Sequence, residues 1–257
     1  MNGTISVSVD VGGAKMTIET GLLARQAAGA TVCRLGDSMV LSAVTNTDTP
    51  REGIDFFPLQ VEYREKYYAA GRFPGGYFKR ETRPSEKEVL TARIIDRPIR
   101  PLFPDGYFND VQVNNMTLSA DGDNETDILG VNATSAALHI SEVPFMGPIG
   151  CVRVGRVGGA FVINPTQAQR KTSDLDLIYA GTRERFLMME GCASEISEED
   201  FLAAMKFAHT EVVKIVDAQH ELRRLLGKPE KVVQDKEPDA EKLAFLYENG
   251  GAELRKA

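Results

Sequence analysis

The sequence predicts an α+β domain in which helices pack on sheets. Two patterns carry this. Short segments that alternate apolar and polar residues dominate the first sixty positions, as half-buried strands require. Later segments turn to helical spacing behind serine caps, giving the order strands, helix, strand, helix, strands, long helix. Runs of like elements, rather than strict strand–helix alternation, build α+β domains.

The elements follow in order. TISVSVDV (Thr4–Val11) alternates in period two, and KMTIET (Lys15–Thr20), ATVCRL (Ala30–Leu35) and SMVLSAVT (Ser38–Thr45) continue it, with Gly12-Gly13 as a turn. FFPLQVEY (Phe56–Tyr63) reads as a further strand and leads into the loop GRFPGGYFKR (Gly71–Arg80). Ser85 and Glu88 form a capping box, in which the serine accepts the amide of the third helical residue and the glutamate reaches back to the cap. The helix behind it, Glu86–Asp96, is expected to turn Val89, Leu90 and Ile94 toward a core. Pro98 is expected to stop it near Arg97, because proline disfavours a helical conformation in the residue before it. Val111–Leu118 is a strand and Asp127–Ser141 a helix of small residues suited to close packing. IGCVRVG and GAFVIN pair around Gly158–Gly159, and Leu175–Thr182 pairs with Arg185–Gly191. Ser197 with Asp200 resembles a second capping box, opening a helix that runs to Gly227. A polar linker with two prolines follows. The helical segment beyond it is too short to bury its apolar face alone. The expected organisation is a core over 1–228, a linker over 229–237 and, over 238–257, the start of an all-helical unit cut short.

A chain of 257 residues holds one large domain or one domain with part of a second. No stretch approaches the roughly 20 apolar residues needed to cross a bilayer, and MNGTISVSVD has neither the basic nor the apolar region of a secretory signal. Cys33, Cys151 and Cys192 are odd in number and widely spaced, which suits a reducing cytosol and neither a disulfide framework nor a metal cluster. His139, His209 and His220 are scattered, the last two reading as helix-surface residues. The net charge of −7 argues against indiscriminate nucleic-acid binding. Between Arg64 and Arg100, however, ten Lys/Arg face five Asp/Glu, a local +5 that leaves −12 for the rest. A basic island in an acidic chain points to a specific polyanion site.

Within that island, Tyr77-Phe78-Lys79-Arg80 joins two flat rings to two cations. Rings stack on bases at about 1–3 kcal/mol each, and cations neutralise phosphates in a salt-sensitive way. Glycines 71, 75 and 76 allow close approach to a ligand. A single-strand clamp and a hairpin tip with its rings folded back both fit this stretch. Arg93, Arg97 and Arg100 fall at i, i+4 and i+7 and share a helical face, with Arg83 just before the helix. They suit phosphate contacts, or a solvated stripe paired with Glu86 and Asp96. Asp174 and Asp176 in SDLD stand two apart and suit hydrated Mg²⁺ or turn chemistry. The sequence contains no Walker loop and no GxGxxG.

The stretch GRFPGGYFKRETRPSEKEVLTARIIDRPIRPLFPDGY, with DFFPLQVEYREKYYAAG before it and PFMGPIGCVRVG and SDLDLIYAGT after it, closely resembles the first core of the bacterial polynucleotide phosphorylase (polyribonucleotide nucleotidyltransferase) family over about residues 4–228. The resemblance implies a ribonuclease PH-like (ribosomal protein S5 domain 2-like) fold and an RNA-binding, 3′-to-5′ phosphorolytic activity that consumes inorganic phosphate and releases nucleoside diphosphates reversibly. It further implies Mg²⁺ or Mn²⁺ in the full-length enzyme, a homotrimeric ring, a cytoplasmic role in mRNA degradation, association with RNA-degradation complexes, and no membrane partner. The family's channel motif, usually Phe-Phe-Arg-Arg, stands here as Tyr77-Phe78-Lys79-Arg80; Tyr keeps the stacking face, and Lys keeps the charge without the planar fork.

The family's active centre lies in its second core. Carried onto this chain, its phosphate loop falls near Glu125, Thr126 and Asp127, one metal aspartate on Asp176, the other on Arg170, and its lysine on Ile178. Acids in an anion pocket and one carboxylate of two do not support phosphorolysis. The expectation is therefore no catalytic residue and no bound metal in this chain, with Asp176 a relic. Single-stranded RNA would be guided by Tyr77, Phe78, Lys79, Arg80, Arg83, Arg93, Arg97 and Arg100. The alternative is a stand-alone, non-catalytic RNA-binding or scaffold module; an autonomous ribonuclease PH-type enzyme fits less well.

Overall fold

Alternating strands and capped helices recur in the computed structural model, which describes residues 3–75, 81, 83–233 and 240–254, with side chains through 250 in the last helix. The strands β1 (Ile5–Val11), β2 (Ala14–Thr20), β3 (Gly29–Leu35), β4 (Ser38–Asn46), β5 (Leu59–Glu65) and β6 (Val111–Ser119) form one six-stranded sheet in the order β1-β2-β3-β4-β6-β5. Only the β5–β6 pair is parallel. Period two places Val7, Val11, Met16, Ile18, Val40 and Val44 on its buried face. A second sheet, ordered β10-β9-β7-β8, comprises β7 (Gly150–Val157), β8 (Ala160–Ile163), β9 (Leu175–Gly181) and β10 (Phe186–Ala193), all antiparallel.

Helix α2 (Thr126–Ile140) packs on β3, β4 and β6 of the first sheet and on β7 of the second, and all of its 15 residues are buried. Small residues allow this. A Cβ at Gly29 would lie 2.2 Å from the Ala137 carbonyl oxygen, so β3 sits flush on the helix only because position 29 has no side chain. Asn132, Thr134 and Ser135 of α2 find partners in its neighbours, as most buried polar groups do. Asn132 donates to the Cys151 carbonyl at 2.9 Å and accepts its amide at 2.8 Å, and Thr134 donates to Asn115 at 2.9 Å. Ser135 donates to Gln219 at 2.7 Å.

Gln219 belongs to the long helix α4 (Glu198–Leu225), which covers the second sheet with Ala204, Ala208, Val212, Ile215 and Leu222. Ser197 caps α4 by accepting the Asp200 amide, but the reciprocal half of the box is replaced: the Asp200 carboxylate takes the Ser197 hydroxyl and Arg156 instead. The short α3 (Gln167–Arg170) precedes β9, and α5 (Ala240–Leu254) carries exposed Phe245, Leu246 and Tyr247.

Three expectations are corrected. The strand expected from Phe56 starts at Leu59, because Phe57 turns into a ring cluster with Phe103 (centroids 4.5 Å apart) and Tyr107, and Pro58 has no amide to donate. Helix α1 (Glu86–Ile99) runs through Pro98. The missing amide costs one bond in the final turn while the buried ring joins the core, and the Arg100 amide still reaches the Asp96 carbonyl. Its buried face is Glu88, Thr91, Ile95, Pro98 and Ile99; Val89 and Leu90 are exposed and Ile94 is half-buried. Glu88 points inward because its carboxylate accepts the Ser85 and Glu65 amides at 2.6 and 2.9 Å, which fixes the helix rotation. Among the described residues no helix is long and apolar enough to cross a membrane.

Candidate functional site

Tyr77, Phe78, Lys79 and Arg80 lie outside the described residues. The base of their loop is described. Lys66 Nζ donates to the Glu81 carbonyl at 2.9 Å, and the Tyr67 amide donates to the Glu81 carboxylate at 2.8 Å, pinning the two stems together. On the incoming stem Tyr67, Tyr68 and Phe73 are exposed, Phe73 at 91%. The sequence alone does not mark these rings, because an isolated aromatic beside a loop reads equally as core; only the fold leaves them exposed. Arg83 and Arg93 are exposed and form no ion pair among the described residues. The other two arginines are engaged within the fold. Arg97 pairs with Glu190 of β10 at 2.5 Å. Arg100 pairs with Asp96 at 2.6 Å and donates to the Leu59 carbonyl at 3.1 Å. The stripe is thus continuous in sequence and divided in space.

The second candidate site lies where the first turn of α2 meets β7, β9 and α3. Arg153, from the middle of β7, is 6% exposed. Its guanidinium donates to Asp127 of α2 at 2.5 Å and to Asp176 of β9. Arg170, at the end of α3, donates to the other oxygen of Asp176 at 2.7 Å and to Glu125. Glu125 also accepts from Gln167. Three carboxylates and two guanidinium groups form one chain of contacts, Glu125–Arg170–Asp176–Arg153–Asp127. Burial pushes the Asp176 carboxyl up, but the charges and hydrogen bonds of Arg153 and Arg170 outweigh this and hold it below the usual carboxylate range. Burial works against the Arg153 cation, yet Asp127 and Asp176 raise its pKa. Thr126 turns away, its hydroxyl donating to Glu65 at 3.0 Å, and Ile178 is buried.

This constellation does not fit a divalent cation or a free phosphate. Both oxygens of Asp176 are occupied by arginines, and the neighbouring Asp174 belongs to another contact, with Arg156, which also holds Asp200. Among the described residues no group of three or more His, Cys, Asp or Glu is placed to hold a metal. Sequence reasoning singled out Glu125, Asp127, Arg170 and Asp176 but missed Arg153. The available signal was an arginine inside the apolar run GCVRVG, where a charge must bring a partner.

Residues 13–144 match the 3′ exoribonuclease family, domain 1, and residues 147–211 match domain 2 of the same family. The chain belongs to the 3′ exoribonuclease family. The family's domain 1 supplies Glu125 and Asp127, and its domain 2 supplies Arg153, Arg170 and Asp176, so the ion-pair chain staples the two matched segments together. A curated relative from Akkermansia muciniphila, polyribonucleotide nucleotidyltransferase, is 56% identical over 214 residues, covering 83% of this chain and 30% of the relative. The protein of the same name from Chlorobaculum parvum is 49% identical over 253 residues, covering 98% and 35%. The chain spans about a third of the length of the curated relatives it matches. The crystal structure of rice (Oryza sativa) Rrp46 superposes with a TM-score of 0.62 at 15% identity, over 86% of this chain and 94% of that one. That likeness establishes the ribonuclease PH-like α+β fold.

Proposed function

We propose that this chain is the first core of a polyribonucleotide nucleotidyltransferase, a cytoplasmic, phosphorolytic 3′-to-5′ exoribonuclease acting in mRNA degradation. In this reading it guides single-stranded RNA and helps build a trimeric ring, alone or within a larger RNA-degradation complex. The phosphate, and the Mg²⁺ or Mn²⁺ of the reaction, are used at a centre that these residues do not form. In phosphorolysis a phosphate oxygen attacks the 3′-terminal phosphodiester, the preceding 3′ oxygen leaves, and the terminal nucleotide departs as a diphosphate. The organisation as core 1–228, linker 229–237 and start of a helical unit is part of the same proposal.

One observation carries the division of labour. The positions where family resemblance puts the phosphate loop and metal ligands hold Glu125, Asp127, Arg170 and Asp176, and all four carry ion pairs, linked through Arg153. Three carboxylates on two arginines leave this site net negative, which disfavours phosphate. The pinned loop base with exposed Tyr67, Tyr68 and Phe73 supports the guiding role.

The purified chain, given poly(A), inorganic phosphate and Mg²⁺, is expected to release no nucleoside diphosphate while still binding single-stranded RNA. Detectable phosphate-dependent turnover would defeat the non-catalytic assignment. Replacing Phe78 with Ala should weaken RNA binding by about 1–3 kcal/mol at one salt concentration. A Lys79→Ala/Arg80→Ala change should flatten the salt dependence.

A further inference from the structure

At the end of α2 remote from the ion-pair chain, a cavity of about 470 Å³ is lined by the last residues of α2 and α4, the β9–β10 turn and the segment after α4. Five cations and three acids line it, a local +2 in a chain of net −7. Three of the cations have carboxylate partners: Arg183 with Asp217, Arg224 with Glu221, and Lys228 with Glu142.

The remaining two do not. Arg223, 6% exposed, donates to the Pro229 carbonyl at 2.7 Å and the His139 carbonyl at 2.5 Å. Lys231 donates to the carbonyls of Leu138 at 2.8 Å and Val143 at 2.7 Å. Among the described residues neither forms an ion pair. Two of these carbonyls close the C-terminal end of α2, where the helix dipole supplies roughly half a negative charge, less than the charge of Arg223 alone. Burial, and then the charge of Arg223, lower the Lys231 pKa to about 7. The buried His139 in the same wall has no partner for either ring nitrogen among the described residues. Glu142, paired directly with Lys228, reaches Arg223 and Lys231 only through space; a buried cation without a direct ion pair and an imidazole without a partner both cost stability.

We propose that this cavity binds a phosphate-bearing anion, with Arg223 and Lys231 as its charged ligands and His139 in its wall. The N–H groups of Arg223 and Lys231 not committed to carbonyls are the donors, and the anion supplies the direct ion-pair partner that neither has in the fold. Inorganic phosphate and the phosphates of a nucleotide share this chemistry, and the cavity has room for a nucleoside body beside the phosphate.

The test is titration of the 257-residue chain with inorganic phosphate and, separately, with ADP at constant ionic strength. The readouts are the His139 imidazole resonances, assigned with a His139→Gln variant, and the unfolding temperature. Saturable movement of the His139 signals is expected, with binding about tenfold or more weaker in Lys231→Met and partly retained in Lys231→Arg. The Lys79→Ala/Arg80→Ala variant should keep the full response. A response to phosphate alone assigns the site to the free ion, and a response only to ADP assigns it to a nucleotide. His139 signals unmoved by both ligands reject the proposal, as does wild-type affinity in Lys231→Met. If that variant does not fold, the resonances of the unaltered chain still decide.

Discussion

At the N-terminal end of α2, Arg153 and Arg170 meet three carboxylates; at its C-terminal end, Arg223 and Lys231 meet only carbonyl oxygens. Both arrangements respect the helix dipole, acids at the positive end and cations at the negative end. They differ in closure. The first pocket pairs every charged group with an opposite one and is left net negative; the second leaves Arg223 and Lys231 without a direct ion-pair partner. The lesson is that a basic residue in a cavity says little until its acceptors have been named.

The largest expected effect tests the closed end. Arg153→Met should cost about 3–5 kcal/mol of stability in urea unfolding, because it strands Asp127 and half of Asp176 without a counter-charge. A loss below about 1 kcal/mol would mean the chain of ion pairs is not a structural clamp.

Next, acid unfolding should show one limb for each end. Burial, then His220, Lys231 and Arg223, lower the His139 pKa to about 3, so the unfolded state, near 6.5, takes the proton first. Stability therefore falls as pH drops from about 6.5 toward 3, and His139→Gln should remove that limb. Asp176 has the opposite sign: its carboxyl is held below the ordinary value by Arg153 and Arg170 despite burial. Its contribution is complete above about pH 4 and is lost as pH falls through the folded value. Asp176→Asn should weaken that lower limb alone, and variants that move the same limb would erase the distinction.

Lys231→Met should cost about 1–2 kcal/mol at pH 7, since two carbonyls lose a donor while an unpaired cation is removed. A loss as large as that of Arg153→Met would mean the two ends are equivalent. Smallest is Glu190→Gln, which breaks the exposed pair with Arg97 and should change stability by about 0–1 kcal/mol. It sets the baseline for an ion pair that water shares.

Much of the fold was legible because local rules and tertiary packing agree. The capping box at Ser85–Glu88, the hairpin around Gly158–Gly159 and the small-residue helix all stand as read. The face of α1 was not legible. Val89, Leu90 and Ile94 offered an apolar stripe, but the amides that Glu88 must satisfy on β5 and at Ser85 rotated the helix another way. The ion-pair chain was half legible: its acids and Arg170 stood at positions the resemblance marked, while Arg153 hid inside a strand. The cationic cavity was invisible, since its lining comes from positions 139, 183, 217–224 and 228–231, which only the fold assembles.

Gly29 fixes one last relation. With β3 seated directly against the Ala137 backbone, α2 behaves as an axle in a fitted bearing. Fifteen residues of helical rise set its two termini about 20 Å apart. No small ligand can touch both, so anything that couples the two ends must run through the helix or the elements packed on it.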